Sequence, residues 1–416
     1  MRFFRSLLCT ALLLTPVTAQ AEADVSDLFR DGTFGGQIRY RYEYVDQNGP
    51  TPVARDAKAS TARLNLNFKT GSWKGLSGFI EGQRVQHLGD DSFNSTVNGK
   101  TAYPIVADPQ STELNQAWIN WQPLSGLDFK AGRQAVNHDG QRFVGSVDWR
   151  QNDQTLDAVS VSFRHKDVLQ ASYGYIWNVN RIFSEKHPNG DLDAKSHWLR
   201  ISHQWAPWLD TAAYGYFLDF DETPALSSAS LGLRATGSKD LGDGLKVRYE
   251  AEYARQRDHA NNPARYTEDY KHFAAYADFR TFSFGGGYEV LGGDGSASFQ
   301  TPLATLHKFN GWADKFLTTP TSGLRDGYIH ASFKPTSPVK WIQKPEAALT
   351  WHDYRGDSGG ADYGSETNLS LSATFALPEG APLKSVQGLI KYADYTAEDA
   401  PYTDTKKLWL QLNFPF

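Results

Sequence analysis

Leu245-Lys246-Val247-Arg248-Tyr249-Glu250-Ala251-Glu252-Tyr253 is the stretch that decides the fold. Its odd positions are apolar or aromatic and its even positions are charged. A strict period of two turns one face of an extended strand toward an apolar medium and the other toward water. The same beat runs through residues 37–45, where Ile38, Tyr40, Tyr42 and Tyr44 oppose Arg39, Arg41 and Glu43. It recurs in residues 62–69, where Ala62, Leu64, Leu66 and Phe68 oppose Arg63, Asn65, Asn67 and Lys69. Strands of soluble sandwiches alternate too, but average about five or six residues. These runs reach nine to eleven, the length that crosses a bilayer at a tilt. Tyr, Trp and Phe gather near their ends, as an interfacial girdle requires. An open sheet in lipid leaves edge N–H and C=O groups unpaired at several kcal/mol each, so the sheet must close.

The expected fold is therefore an all-β transmembrane antiparallel barrel. Working outward, the strands read as 35–45, 60–69, 76–86, 114–122, 127–135, 155–164, 168–178, 196–205, 209–219, 229–237, 244–255, 269–280, 282–291, 325–334, 342–354, 365–375, 385–395 and 406–416. That is about eighteen, an even number as single-chain bacterial barrels prefer. Connections after even-numbered strands are short (71–75, 123–126, 165–167, 206–208, 281) and those after odd-numbered strands are mostly long (46–59, 87–113, 136–154, 292–324). Short periplasmic turns and long outer loops are the expected asymmetry, with both termini periplasmic. The chain ends Leu408, Leu410, Leu412, Phe414 and Phe416 on one face. That ending resembles the strand by which the barrel-assembly machinery recognises outer-membrane barrels, with Phe416 as the closing aromatic.

Composition agrees. The 416 residues have a mean hydropathy of -0.52, which excludes a helical membrane protein. Residues 7–18 are too short for the about 20 apolar residues of a spanning helix. They read instead as the centre of a secretory signal, with Arg2 and Arg5 before them and Ala19-Gln20-Ala21 as the cleavage site. The expected division is a signal peptide, 1–21, and one barrel domain, 22–416. Cleavage removes two arginines and no acid, so the formal charge moves from -5 to -7. It also removes Cys9, the single cysteine. Thiol catalysis and thiolate metal sites are then excluded, and a strongly basic nucleic-acid binder is not expected. The eleven histidines show no paired ligand spacing, and the glycine clusters 285–287 and 292–295 precede no helix that would receive a phosphate. No metal and no cofactor are implied. A barrel hydrolase would need a nucleophile beside His197 or His203, and none accompanies them. A structural or adhesin barrel would need no charged lumen. The protein is read as a channel, not an enzyme.

Two segments go beyond the generic pattern. One runs Gly132-Arg133-Gln134, Gly140-Gln141-Arg142-Phe143-Val144-Gly145, Asp148-Trp149-Arg150-Gln151-Asn152 and Gln154-Thr155-Leu156-Asp157-Ala158-Val159. The other runs from Thr301 to Phe316 with the core His307-Lys308-Phe309-Asn310-Gly311-Trp312-Ala313-Asp314-Lys315-Phe316, then Thr319-Pro320 and Gly323-Leu324-Arg325-Asp326. Both resemble the alginate-export family of outer-membrane barrels, over essentially the whole mature chain. The resemblance implies a monomeric passive channel in the Gram-negative outer membrane, among lipid and lipopolysaccharide, with an arginine-rich constriction. Its cargo would be an anionic saccharide or another small anionic solute. The alternative is an uptake porin for small carboxylates, sugars or general nutrients.

The residues support a constriction independently. Loop 136–154 carries Asp139, Arg142, Asp148, Arg150 and Asp153 beside apolar Phe143, Val144 and Trp149, a mixture that folds inward and packs on the wall or else stays solvated outside. Arg133 has the outward parity of Leu127, Phe129 and Ala131, but Gly132 and Gly140 permit a bulge that re-aims it. Parity puts eleven cations on the lumenal phase: Arg39, Arg41, Arg63, Lys130, Arg200, Arg234, Lys246, Arg248, Arg280, Lys391 and Lys407. Seven acids share that phase: Glu43, Glu81, Glu250, Glu252, Asp278, Glu289 and Glu366. An excess of cations concentrates anions, and guanidinium forks suit carboxylates. The opposing reading pairs these charges with one another across strands. In loop 292–324, Trp312 and its aromatic neighbours either stack on sugar rings beside His307, Lys308 and Lys315 or form the loop's own core.

Overall fold

The computed structural model describes residues 24–416 except 48, 50–52, 382 and 384. The signal segment 1–21 lies outside the described residues. Eighteen antiparallel strands follow one another: β1 (Thr33–Gln47), β2 (Ala57–Lys69), β3 (Leu76–Ser92), β4 (Ser111–Leu124), β5 (Leu127–Gln134), β6 (Thr155–His165), β7 (Leu169–Asn180), β8 (Asp191–Ala206), β9 (Leu209–Leu218), β10 (Ser228–Gly242), β11 (Leu245–Asp258), β12 (Thr267–Phe279), β13 (Phe282–Leu291), β14 (Leu324–Phe333), β15 (Ile342–Arg355), β16 (Asp362–Ala376), β17 (Ser385–Thr396) and β18 (Thr405–Pro415). Each pairs with its neighbours in sequence, and β1 pairs with β18, so the sheet closes and no edge is left. The closing seam runs from Gln37 opposite Pro415 to Gln47 opposite Thr405. The terminal Phe416 exchanges two backbone hydrogen bonds with Gly36 across that seam.

The expected count of about eighteen is the observed one. β10 runs five residues past the expected 237, to Gly242, at its short-turn end, and β3, β4 and β8 run several residues past the expected bounds at the outer end. There the wall stands clear of the apolar layer, so alternation fades while the backbone ladder continues.

The two faces differ as the sequence demands. Leu64, Leu66, Ile119, Leu231, Phe273 and Phe284 stand exposed on the outside, the arrangement of a lipid-facing belt. Trp121, Trp205, Trp208, Phe282 and Trp341 lie exposed beside the short turns and make an aromatic rim. The hydrophobic core is inside the barrel. Leu156, Ile176, Val179, Leu192, Tyr214 and Tyr270 of the wall bury Phe143, Val144, Phe299, Leu303 and Phe316 of two connecting segments. Glycine in the wall makes room for flat rings, since a Cβ at Gly232 would lie 2.3 Å from the Tyr214 ring.

Candidate functional site: two loops folded into the barrel

The segments that enter the lumen are 135–154, after β5, and 292–323, after β13; we call them the first and second inner loops. The first turns back on itself through left-handed residues at Asp139, Gln141 and Val147. Its neck is closed by the His138 N–H donating to the Val144 carbonyl at 3.1 Å and the Ser146 N–H to Asn137 Oδ1 at 2.8 Å.

The loops join across the lumen. Val144 and Leu303 form a parallel bridge. The Gly145 N–H donates to the Leu303 carbonyl at 2.9 Å and the Thr305 N–H to the Gln141 carbonyl at 3.1 Å. Gln154 Nε2 spans both, donating to the carbonyls of Gly145 and Leu303 at 2.9 and 3.1 Å. Gly145 is required here, because a Cβ would sit 2.2 Å from Thr305 Oγ1.

Charge then ties the joined loops to the wall. The Arg39 guanidinium donates to the Asp148 and Arg150 carbonyls at 2.8 and 3.2 Å and to Asn413 Oδ1 at 3.1 Å. Arg41 is fully buried, donates to Gln411 Oε1 at 2.9 Å and lies 4.0 Å from the Trp149 ring. Arg63 meets Asp153 at 2.8 Å, and Arg150 meets Glu43 at 2.8 Å. Arg142 crosses to Glu289 at 3.0 Å and donates to Asn310 Oδ1 at 3.0 Å. Asp139 accepts both arms of Arg200, at 2.6 and 3.0 Å, with Arg234 at 3.8 Å. On the second loop, Glu366 accepts the backbone N–H groups of Trp312 and Ala313, the latter at 2.8 Å. Gly311 permits that approach, since a Cβ there would fall 2.2 Å from Glu366 Oε2.

A mixed aromatic and charged latch locks both loops to β17 and β18. The His307 ring stacks on Trp149 at 4.4 Å, with planes 6° apart. His307 Nε2 lies 2.8 Å from Lys391 Nζ, and Nδ1 lies 2.7 Å from Asp314 Oδ1. An ammonium only donates, so Nε2 accepts and Nδ1–H donates to Asp314. Burial, with the Lys391 charge beside it, pulls His307 down to about 3 against the pull of Asp314, so the ring is neutral. Burial alone would raise Asp314, but His307 and Lys407 hold it well below the usual carboxylate range. Lys407 meets Asp314 at 2.9 Å. The Lys391 ammonium is caged by Trp312 at 3.7 Å and Trp149 at 4.1 Å. Lys315 donates to Thr405 Oγ1 at 2.7 Å, and burial followed by the Lys407 charge draws it down to about 8.

The structure brings most of the expected site residues together, with a different role and three departures. Guanidinium groups do not ring an open hole; Arg39, Arg41, Arg63, Arg142, Arg150, Arg200 and Arg234 are spent on tying loops to wall. The opposing reading, in which lumenal charges pair among themselves, holds in part, but neighbours along one strand such as Arg41 and Glu43 or Arg248 and Glu250 do not pair. Residues two apart along a strand are separated by a full pleat, and Glu43 takes Arg150 from the loop while Arg248 takes Asp278 across the ladder, at 2.6 Å. Arg133 lies on the outer wall, where it holds Asp157 at 2.8 Å. Gly132 has φ +122, but the ladder stays in register, with Gly132 opposite Ala158 and Arg133 opposite Asp157. No bulge re-aims Arg133, so it keeps the outward parity of its strand. Arg280 is in the turn between β12 and β13, its guanidinium 5.1 Å from the Phe279 ring, and Arg248 lies near that same end; neither reaches the loops. Asp148 and Lys308 are exposed, and Asp148 is the one carboxylate of the inner loops, among the described residues, with neither an ion pair nor a hydrogen bond. The rings of the second loop do not form a core of their own: Phe299 packs on Phe143 of the first loop and Tyr270 of the wall, Phe316 packs on Tyr354 and Tyr363, and Phe309 backs Arg142 at 4.7 Å.

Residues 31–287 match the model of the alginate-export family, a span that contains the first quoted motif and ends before the second. No curated protein sequence matches. Among solved structures, OccAB2 of Acinetobacter baumannii aligns with TM-score 0.72 at 15% identity, covering 94% of this chain and 99% of that one. OccK9 (OpdG) of Pseudomonas aeruginosa aligns with TM-score 0.70 at 15% identity, covering 94% and 100%. OpdK of Pseudomonas aeruginosa, solved with vanillate, aligns with TM-score 0.70 at 13% identity, covering 93% and 99%. At such identity the likeness is one of fold.

Proposed function

The chain belongs to the alginate-export family, and on that premise we propose that this outer-membrane, porin-like barrel is a passive channel for small carboxylate-bearing solutes, with a preference for anions. The observation that carries the reading is the pair of loops joined across the lumen. Eighteen strands alone enclose a wide aqueous bore; two loops bridged at Val144 and Leu303 cross it, and a bore so crossed suits small solutes better than a polymer chain. This favours uptake of small acids over polysaccharide export.

Five cations that lack a carboxylate partner, four of them held by neutral groups, support the anion preference. Arg39 is held by carbonyl and amide oxygens, Lys391 by rings and His307, Lys130 by the Trp118 ring and Lys315 by a hydroxyl, while Lys308 stands exposed. None of the five has a carboxylate partner, so their charges are not cancelled at contact distance. Weak attraction at several sites admits an anion without trapping it. The vanillate in the OpdK structure is a small aromatic carboxylate, which accords with this class. Liposomes containing the purified barrel test the size limit: small carboxylates should equilibrate fast and oligomeric uronates hardly at all. Equal entry of long uronates would overturn the reading in favour of export.

A further inference from the structure

Water fills a porin bore, so the lumenal phase of its wall is polar. Phe79 and Trp118 break that pattern. Phe79 shares its phase with Glu81 and Gln83, and Trp118 with Asn120. The two residues face each other across the β3–β4 ladder, ring centroids 5.3 Å apart and planes 18° from parallel. Register extends the row on both sides, with Lys69 opposite Phe79 and Gly132 opposite Trp118.

A second cation completes the row. The Lys130 ammonium lies 4.4 Å from the Trp118 ring centroid and forms no ion pair. The acid on its own strand, Asp128, is engaged by the Asn120 and Gln122 amides at 3.2 and 3.3 Å. Phe79, Trp118 and Lys130 are half-buried, so each keeps part of its surface toward the bore. Neither ring belongs to the core that holds the inner loops. The row begins where the first loop's floor ends: Glu81, one lumenal step above Phe79, accepts from Asn115 at 2.7 Å, and Asn115 also donates to Asp153 of that loop at 3.3 Å.

We infer that Phe79, Trp118, Lys69 and Lys130 form a binding shelf for a ring-bearing carboxylate, on the periplasmic side of the inner loops. Phe79 covers one face of Trp118 and Lys130 lies over its ring, so the stack offers ring edges to a flat or C–H-rich ring face, and the flanking ammonium groups donate to the carboxylate. The inference rests on the channel reading above and adds a stopping place along its path.

Saturation-transfer NMR on the detergent-solubilised full-length barrel tests it, with benzoate, glucuronate and acetate as probes. At least one ring acid should bind more tightly than acetate. Trp118→Ala should weaken that acid by roughly fivefold, Trp118→Phe should retain most of the affinity, and Lys130→Gln should weaken all three acids. Preference for benzoate alone assigns a π face, and for glucuronate alone a sugar face; either supports the shelf. No advantage of either ring acid over acetate, or no effect of Trp118→Ala in a folded barrel, overturns it. Conductance measured on the same preparation separates the two readings. Binding without conduction sinks only the channel, and conduction without ring preference sinks only the shelf.

Discussion

Trp149→Ala removes the plate on which the latch is stacked. The indole lies 4.4 Å from the His307 ring, 4.0 Å from the Arg41 guanidinium and 4.1 Å from the Lys391 ammonium. Each cation contact contributes about 0.5–2 kcal/mol and the ring stack about 0.5–1.5 kcal/mol. Together the loss is about 3 kcal/mol, which enlarges the released population of the loops about a hundredfold. The change falls on the loops and not the wall, because Trp149 belongs to no strand. Single-channel recording should therefore give a larger and noisier conductance, while heat-dependent gel migration and the β-rich circular dichroism stay those of the parent. Trp149→Phe should retain most of the quiet behaviour. A folded Trp149→Ala barrel with an unchanged conductance trace would refute the claim that the joined loops narrow the bore.

Acid should loosen the same latch. His307, faced by Asp314, Lys391, Arg150 and the rings of Trp149 and Trp409, is held near 3, below the ordinary histidine value of about 6.5. Released loops bind the extra proton first, so the His307 contribution to the latch is whole above about pH 6.5 and falls by about 1.4 kcal/mol per unit as pH drops toward 3. Current noise should rise on acidification, and His307→Phe should flatten that rise. Gly311→Ala places a methyl 2.2 Å from Glu366 Oε2 at a residue with φ +81; the second loop should become open to added protease while the barrel survives. Arg133→Glu should leave ion preference unchanged, since Arg133 pairs with Asp157 on the outer wall. A shifted reversal potential in that variant would return Arg133 to the pore.

The strands were legible because the signal is local. Lipid and water alternate across each strand, and a window of nine residues such as 245–253 already carries the pattern. The inner loops were legible only as inventory. Their charged and apolar residues marked them as able to fold inward, but Val144 meets Leu303 and Val147 meets Thr305 across 158 residues or more, and no local period encodes such a pairing. For the same reason the lumenal cations could be counted while their partners, drawn from loops, could not be named. Parity alone places Arg133 on the outer wall, and Gly132 does not override it. A signal for its true partner was present: Asp157 carries the parity of Val159 and Val161, so an acid on the outer phase needed a cation beside it. Phe79 and Trp118 were equally visible as aromatic residues in phase with Glu81 and Asn120.

The most direct measurement on the whole account is the reversal potential of the purified barrel in a planar bilayer under a potassium chloride gradient. An anion channel narrowed by two latched loops predicts a steady, small conductance with a potential of the sign set by chloride. A potential of the sign set by potassium, or no conductance from folded barrel, would contradict it.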